Sequence, residues 1–154
     1  MDRIIIFNNV SYSFEDALKD IKVANPEYDF TFYKEIPEDL IHSYYLNEQL
    51  INPKLSSFEK FQKNLEIRSK SGAVFSVASL DGEIVSSLSG MFNDLHKEIN
   101  LWYTNESHRG KSLGLGVLYN LIINIKDKHS YLEAIDVTNK RIDELLLNCG
   151  FNEK

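Results

Sequence analysis

The stretch that most constrains the fold runs from residue 100 to residue 116. It reads as a strand, a basic glycine-rich turn and the first turn of a helix. Residues 101–104 are apolar, aromatic or β-branched, which is typical of a strand that is at least half buried. The residues after the turn recur at helical spacing, at Val117, Leu118, Leu121, Ile122 and Ile125. A strand that passes through such a turn into a helix predicts a mixed α/β domain.

The turn itself is basic and flexible, with Arg109, Gly110, Lys111, Ser112 and Gly114. Free N–H groups and the positive end of the helix dipole meet there, and glycine allows a close approach to the backbone. This pattern favours an anion, above all a pyrophosphate. The alternative is that Gly114 and Gly116 only permit close helix packing. Neither the Walker pattern nor the dinucleotide-binding glycine pattern is present.

Two motifs carry a resemblance to the GNAT superfamily of acyl-CoA-dependent N-acetyltransferases. The segment Arg109-Gly110-Lys111-Ser112-Leu113-Gly114 is similar to the family's Arg/Gln-x-x-Gly-x-Gly/Ala motif, with Ser112 in place of the first glycine. Downstream, Asn139 is followed by a predicted helix that ends at Gly150-Phe151, again with the family's spacing. The resemblance is best over 97–151 and weak before residue 73.

The resemblance implies how acetyl-CoA is bound. The fourth and fifth strands of the family fold splay apart, and the free backbone of the fourth bonds the pantetheine amides. The turn amides hold the pyrophosphate, and Arg109 and Lys111 add charge. The implied cofactor-binding residues are Trp102, Tyr103, Thr104, Arg109, Gly110, Lys111, Ser112, Leu113, Gly114 and Asn139.

Transfer of an acyl group to an amine needs a proton acceptor, because a protonated ammonium has no lone pair. Glu98, at the start of the central strand, has the position of a general base in some relatives; the alternative is a solvated strand-edge glutamate. Leu146 stands where many relatives carry a tyrosine that acts as the acid, and leucine cannot donate a proton. Three alternatives follow: another group such as Tyr103 protonates the thiolate, the thiolate leaves unassisted, or the protein is not a catalyst. Cys149 lies on a predicted core face, which favours direct attack over a covalent route.

These residues give two functional hypotheses. The first is an N-acyltransferase that moves an acetyl group from acetyl-CoA to the primary amine of a small molecule or a protein. The second is a non-catalytic module of the same fold that binds CoA or a protein partner.

Composition limits the partners and the compartment. The 154 residues suit a single domain, and 17 basic against 23 acidic residues give a net charge of −6. This balance argues against nucleic acid, and no apolar run has the length of a membrane span. Only one cysteine is present, so we expect no disulfide within the chain and a cytoplasmic protein without a membrane partner.

The order of predicted elements completes the fold hypothesis, a GNAT-like mixed (α+β) central sheet flanked by helices. Strands are predicted at 3–8, 28–34, 73–80, 83–92 and 131–137, with a central strand from Glu98 to Thr104. Helices are predicted at 14–23, at 37–50, between Ser56 and Gly72, and at 142–149, and one begins at the glycine-rich turn and continues through Ile125. Asp81-Gly82 is a strong hairpin signal, and Ser56 with Glu59 predicts a capping box. Residues 1–26 add a strand and a helix ahead of the usual family fold.

One sheet edge needs an explanation. Families of this fold place strands after the Gly-Phe motif, and here we expect those strands to be missing. An open edge on the strand at 131–137 would be a liability. The segment Arg3-Ile4-Ile5-Ile6-Phe7 is predicted to cover it, from the same chain or from a homodimer partner. The alternative is that it extends the opposite edge, beside Phe30 and Phe32.

Overall fold

A computed structural model describes residues 4–7, 14–95, 97–125, 131–134 and 151–153. The strands are β1 (Ile4–Phe7), β2 (Asp29–Tyr33), β3 (Ala73–Leu80), β4 (Glu83–Phe92), β5 (Lys97–Thr104), β6 (Tyr131–Ala134) and β7 (Phe151–Glu153). The helices are α1 (Phe14–Ala24), α2 (Glu38–Ile51), α3 (Phe58–Lys70) and α4 (Leu113–Ile125), with a 3₁₀ turn at Glu106–His108. Within these ranges, the strands form one mixed sheet in the order β2-β3-β4-β5-β6-β1-β7.

The described pairing of β5 with β6 covers only one end of β5. The strands β2 to β5 form an antiparallel meander, whereas β5 and β6 run parallel and pair at Glu98 and Ile99. We use the name wedge for the side of β5 beyond this pairing, with its closed end at Glu98 and with β5 up to Thr104 as its wall. The predicted separation of the two central strands concerns residues after Ala134, which lie outside the described part of the chain.

A β-bulge lies at the closed end of this wedge. Ser89 is opposite Leu101 while Gly90 is opposite Ile99, so β5 carries one extra residue, Asn100. A bulge leaves its extra residue out of the regular ladder and re-aims the residues that follow.

Helices cover both faces of the sheet. The first core lies between the sheet and the pair α1 and α4, around Val117, Leu118 and Leu121. The second lies under α2 and α3, around Tyr44, Phe61 and Phe75. Helix α4 has apolar residues on most of its surface and is buried along its length. The core therefore fixes the position of its N-terminus beside β5.

Local sequence signals account for most element boundaries. Asp81 and Gly82 both have positive φ, as a two-residue type I′ hairpin turn requires. The capping prediction is wrong by one residue, because Ser57 rather than Ser56 accepts from Lys60 N. Pro37 precedes α2 instead of opening it, since its ψ of 145° is not helical.

The edge prediction is confirmed for pairing within one chain. β1 pairs antiparallel with β6, Ile4 opposite Ala134 and Phe7 opposite Tyr131. It does not lie beside β2, where the alternative placed it. The structure also differs from the expected loss of C-terminal strands, since Phe151–Glu153 forms a short strand on the other side of β1. A three-residue strand has too few side chains to show an alternating pattern.

Several predictions fall outside the described residues. These are the last helix with Asn139, Leu146 and Cys149, and the end of the strand beyond Ala134. None of the helices in the described ranges combines the length and apolar composition needed to span a membrane.

Candidate functional site

The basic turn has an unusual backbone. Gly110 has a φ of 85° and Ser112 a φ of 63°, so two left-handed residues flank Lys111. Helix α4 begins directly afterwards, with a backbone hydrogen bond from Gly116 N to Ser112 O. Because the first N–H groups of a helix have no intrahelical acceptor, those of residues 113–115 are available beside the exposed turn.

The positive φ of Ser112 predicts the effect of restoring glycine. A serine in this conformation is strained, whereas glycine adopts it freely. Ser112→Gly should therefore raise the free energy of unfolding by about 1 kcal/mol, measured by urea denaturation. Ser107→Gly, in the 3₁₀ turn without a positive φ, is the control and should destabilise slightly. Equal stability of Ser112→Gly and the parent would show that no strain is stored there.

Arg109 is folded back onto β5. Its Nε donates to the backbone oxygen of Thr104 at 3.1 Å, and its guanidinium carbon lies 5.4 Å from the centre of the Tyr103 ring. The side chain is exposed, so the terminal nitrogens face solvent at the mouth of the wedge. Arg109 is thus a positioned cation rather than a mobile one.

Lys111 is held on the opposite side by a tyrosine far away in sequence. Its Nζ donates to the Tyr28 hydroxyl at 3.0 Å and lies 5.1 Å from the ring centre. This hydrogen bond to Tyr28 raises the pKa of Lys111. The same hydroxyl lies 2.9 Å from Nδ1 of His108. His108 is half-buried, and its ring packs edge-on against Tyr28.

The wall of the wedge is joined to the turn by side chains. Trp102 Nε1 donates to the backbone oxygen of Gly114 at 3.1 Å, and the Thr104 hydroxyl bonds that of Ser86 at 2.8 Å. A Cβ added to Gly114 would meet Thr104 Oγ1 at 3.4 Å and Trp102 Nε1 at 3.5 Å. Strand β5, the turn and the start of α4 therefore form one continuous surface.

The two glycines of α4 differ in their role. A Cβ at Gly116 would overlap the Phe30 ring, so this glycine permits close packing of α4 on β2. The packing interpretation thus holds for Gly116. At Gly114 a Cβ would make ordinary contacts and would fill part of the space between the start of α4 and β5.

Glu98 lies at the closed end of the wedge. It is half-buried and stands opposite Met91 on β4 and Glu133 on β6. Along a strand at about 3.3 Å per residue, it is about 20 Å from Thr104. The structure therefore places Glu98, Trp102, Tyr103 and Thr104 along β5, in line with the turn that follows it. Asn139 falls outside the described residues.

A second acidic group was not predicted from the sequence. Glu48 on α2 is 5% exposed, and its Oε1 lies 4.0 Å from Nη1 of Arg68. Burial raises the pKa of Glu48, which the Tyr44 hydroxyl and Arg68 lower only in part. Three buried oxygens, those of the Tyr44 and Ser89 hydroxyls and Oε1 of Glu48, have no hydrogen-bond partner within the described part of the chain. The helical spacing of Tyr44 and Glu48 was the available signal.

Comparison with known proteins identifies the fold. No protein-family model matches the sequence, and neither does any curated protein. Among solved structures, an acetyltransferase of Trypanosoma brucei matches with a TM-score of 0.65 and 20% identity, over 80% of this chain and 93% of that one. A GCN5-related N-acetyltransferase of Sphaerobacter thermophilus matches with a TM-score of 0.68 and 13% identity, over 99% of this chain and 48% of that one.

A third similar structure includes a ligand. It is a predicted acetyltransferase of Clostridium acetobutylicum with acetyl-CoA, with a TM-score of 0.59 and 16% identity over 82% of this chain and 91% of that one. The chain spans about half the length of several structures that it matches. At these identities the likeness concerns the fold: the chain has the fold of the GCN5-related N-acetyltransferases.

Proposed function

Because the chain has this fold, we propose that it is an acyl-CoA-dependent N-acyltransferase that moves an acetyl group from acetyl-CoA to a primary amine. The observation that supports this most is the continuity of the anion-binding turn with the wedge beside β5. An acyl-CoA has the matching parts, a pyrophosphate followed by a long thin arm that ends in a thioester.

The described residues fit such a ligand. The backbone N–H groups at the start of α4 and the Arg109 guanidinium would hold the pyrophosphate. The exposed backbone of Trp102, Tyr103 and Thr104 would bond the arm. Gly114 leaves the space that a Cβ would fill, between this wall and the helix. Asn139 and Lys111 stay part of the proposed site, the latter through its charge.

The chemistry would take place at the closed end of the wedge. Acetyl-CoA supplies the acetyl group as a thioester; the amine nitrogen forms the new bond to it, and the carbon–sulfur bond breaks to give the CoA thiol. Glu98 would accept the ammonium proton, directly or through water. The bulge at Asn100 would release backbone groups from the ladder, which can polarise a carbonyl oxygen. Tyr103 packs on Arg109, about 16 Å along β5 from Glu98, so it would not reach the thiolate, which would leave unassisted.

The net charge favours a class of acceptor and does not identify it. With a net charge of −6, the surface attracts cationic amines, on a small molecule or a protein. The single cysteine suits a cytoplasmic protein.

The alternative is a non-catalytic module that binds CoA or a protein partner. Calorimetry with acetyl-CoA separates a binder from a non-binder, and release of free thiol in the presence of an amine panel separates an enzyme from a binder.

Arg109→Ala is the mutation that tests the cofactor site. Loss of a charge-assisted phosphate contact should weaken acetyl-CoA binding by about 1.5–3 kcal/mol, measured by calorimetry. The fold should be unaffected, because the side chain is exposed. Lys63→Ala is the control, since it also removes one positive charge from an exposed position, on α3. Undiminished affinity of Arg109→Ala would remove Arg109 from the site.

A further inference from the structure

The short connection between α1 and β2, residues 25–28, contacts the phosphate-binding turn from the side opposite β5. Asn25 is 6% exposed, and its Nδ2 donates to the backbone oxygen of Lys111 at 3.0 Å. The same nitrogen donates to the oxygen of Ile21 at 2.9 Å, within the last turn of α1. Asn25 therefore ties the end of α1 to the middle of the turn, 86 positions away in sequence.

Tyr28 makes the second attachment. It is 5% exposed and packs on Val85 and Leu113, so its position is fixed by the core. Its hydroxyl accepts from Lys111 Nζ and bonds His108, which precedes the turn. Tyr28 N also donates to Asn25 O at 3.2 Å, so the connection is itself a closed turn.

The turn needs such attachments. Residues 109–112 are all exposed, and two of them have left-handed backbone conformations. An exposed segment of this kind has many alternative conformations, and only one of them aims the amides of 110–115 at one point. On the β5 side it is held by Arg109 on Thr104 and by Asn105 N on Val85 O. On the other side, within the described residues, Asn25 and Tyr28 hold it through their hydrogen bonds to Lys111.

We propose that Asn25 and Tyr28 are positioning residues for acyl-CoA: they hold the backbone of Gly110 to Ser112 in the conformation that binds phosphate. The inference rests on the proposed function, because it assigns the turn to acyl-CoA. It gives the extra N-terminal helix a role in ligand affinity, although the helix contributes no group to the ligand.

The test uses three variants of the full chain. Asn25→Ala removes the amide, and Tyr28→Phe removes only the hydroxyl and keeps the packed ring. Asn124→Ala is the matched control, because Asn124 Nδ2 also donates to the carbonyl oxygen four residues earlier in its helix, at 2.7 Å, and its described hydrogen bonds lie within α4 rather than on the turn. Acetyl-CoA affinity, turnover at saturating acetyl-CoA and amide hydrogen exchange of residues 110–115 are measured for each.

Asn25→Ala and Tyr28→Phe should each weaken acetyl-CoA binding about tenfold, the effect of one or two hydrogen bonds, and speed amide exchange in the turn by a similar factor. Turnover at saturation should be retained, and Asn124→Ala should change neither quantity. Unchanged exchange in Asn25→Ala, or equal effects in Asn124→Ala, would overturn the inference. If the parent binds no acetyl-CoA, the proposed function fails, and hydrogen exchange still decides whether these residues hold the turn.

Discussion

Glu98→Gln should lower turnover at neutral pH about 100-fold or more, the usual contribution of a positioned proton acceptor. Glutamine has nearly the same shape but does not take the proton that an ammonium must lose before its nitrogen can react. The deficit should shrink as the pH rises towards the pKa of the amine, because the substrate then arrives deprotonated. Rates of thiol release between pH 6 and 10, with acetyl-CoA affinity measured in parallel, give the profile.

Glu48→Gln is the comparison for this experiment. Glu48 is a buried acidic side chain on α2, and burial raises its pKa. A buried carboxyl group with a raised pKa is a candidate base. If Glu98 is the base, Glu48→Gln should keep the pH profile of the parent. A pH-dependent deficit in Glu48→Gln alone would transfer the role to Glu48. A flat ratio of rates in Glu98→Gln would make Glu98 an ordinary strand-edge residue.

Deletion of residues 1–7 should have the largest effect on the fold. Strand β1 pairs with β6 on one side and β7 on the other, so its loss removes two ladders and exposes the edge of β6. We expect a loss of about 3 kcal/mol or more, from several backbone hydrogen bonds of about 1 kcal/mol each. Aggregation should follow, because open strand edges pair with other chains. Thermal unfolding and light scattering measure both effects.

Deletion of residues 1–3 is the matched control, because it shortens the chain before β1 and leaves Ile4–Phe7 in place. It should resemble the parent in melting temperature and in scattering. A stable, monomeric protein after deletion of residues 1–7, with normal acetyl-CoA affinity, would show that the edge tolerates exposure and that β1 is dispensable.

The local part of the fold could be predicted from sequence because it is written in neighbouring residues. The hairpin at Asp81-Gly82 and the strand–turn–helix unit around Gly110 depend on φ preferences and on periodicity, which short segments reveal. The pairing of β1 could be argued only from the need to cover an edge. The bulge at Asn100 left no signal, because the residues around it have the same types as those of a regular strand.

The site was predictable to a similar extent. The candidate residues of the turn and of β5 could be named because they belong to one continuous motif, and the structure places them on β5 and in the turn after it. The attachment of the turn to Asn25 and Tyr28 joins residues more than 80 positions apart, and Asn25 before Pro26 reads simply as a helix end. The buried position of Glu48 is also set by tertiary packing, which overrides the usual exposure of glutamate.

The place of β1 in the sheet also has a kinetic consequence. Ile4 leaves the ribosome long before its partner Ala134, which follows it by 130 positions in the sequence. Until then an apolar segment has no strand to pair with, although the meander of β2 to β5 can already form from neighbours in sequence. Contacts of such long sequence separation slow folding, because loop closure precedes any gain from them. We therefore expect closure of the β6 side to be the late and slow step, and nascent chains that stop before residue 131 to need protection of Ile4–Phe7.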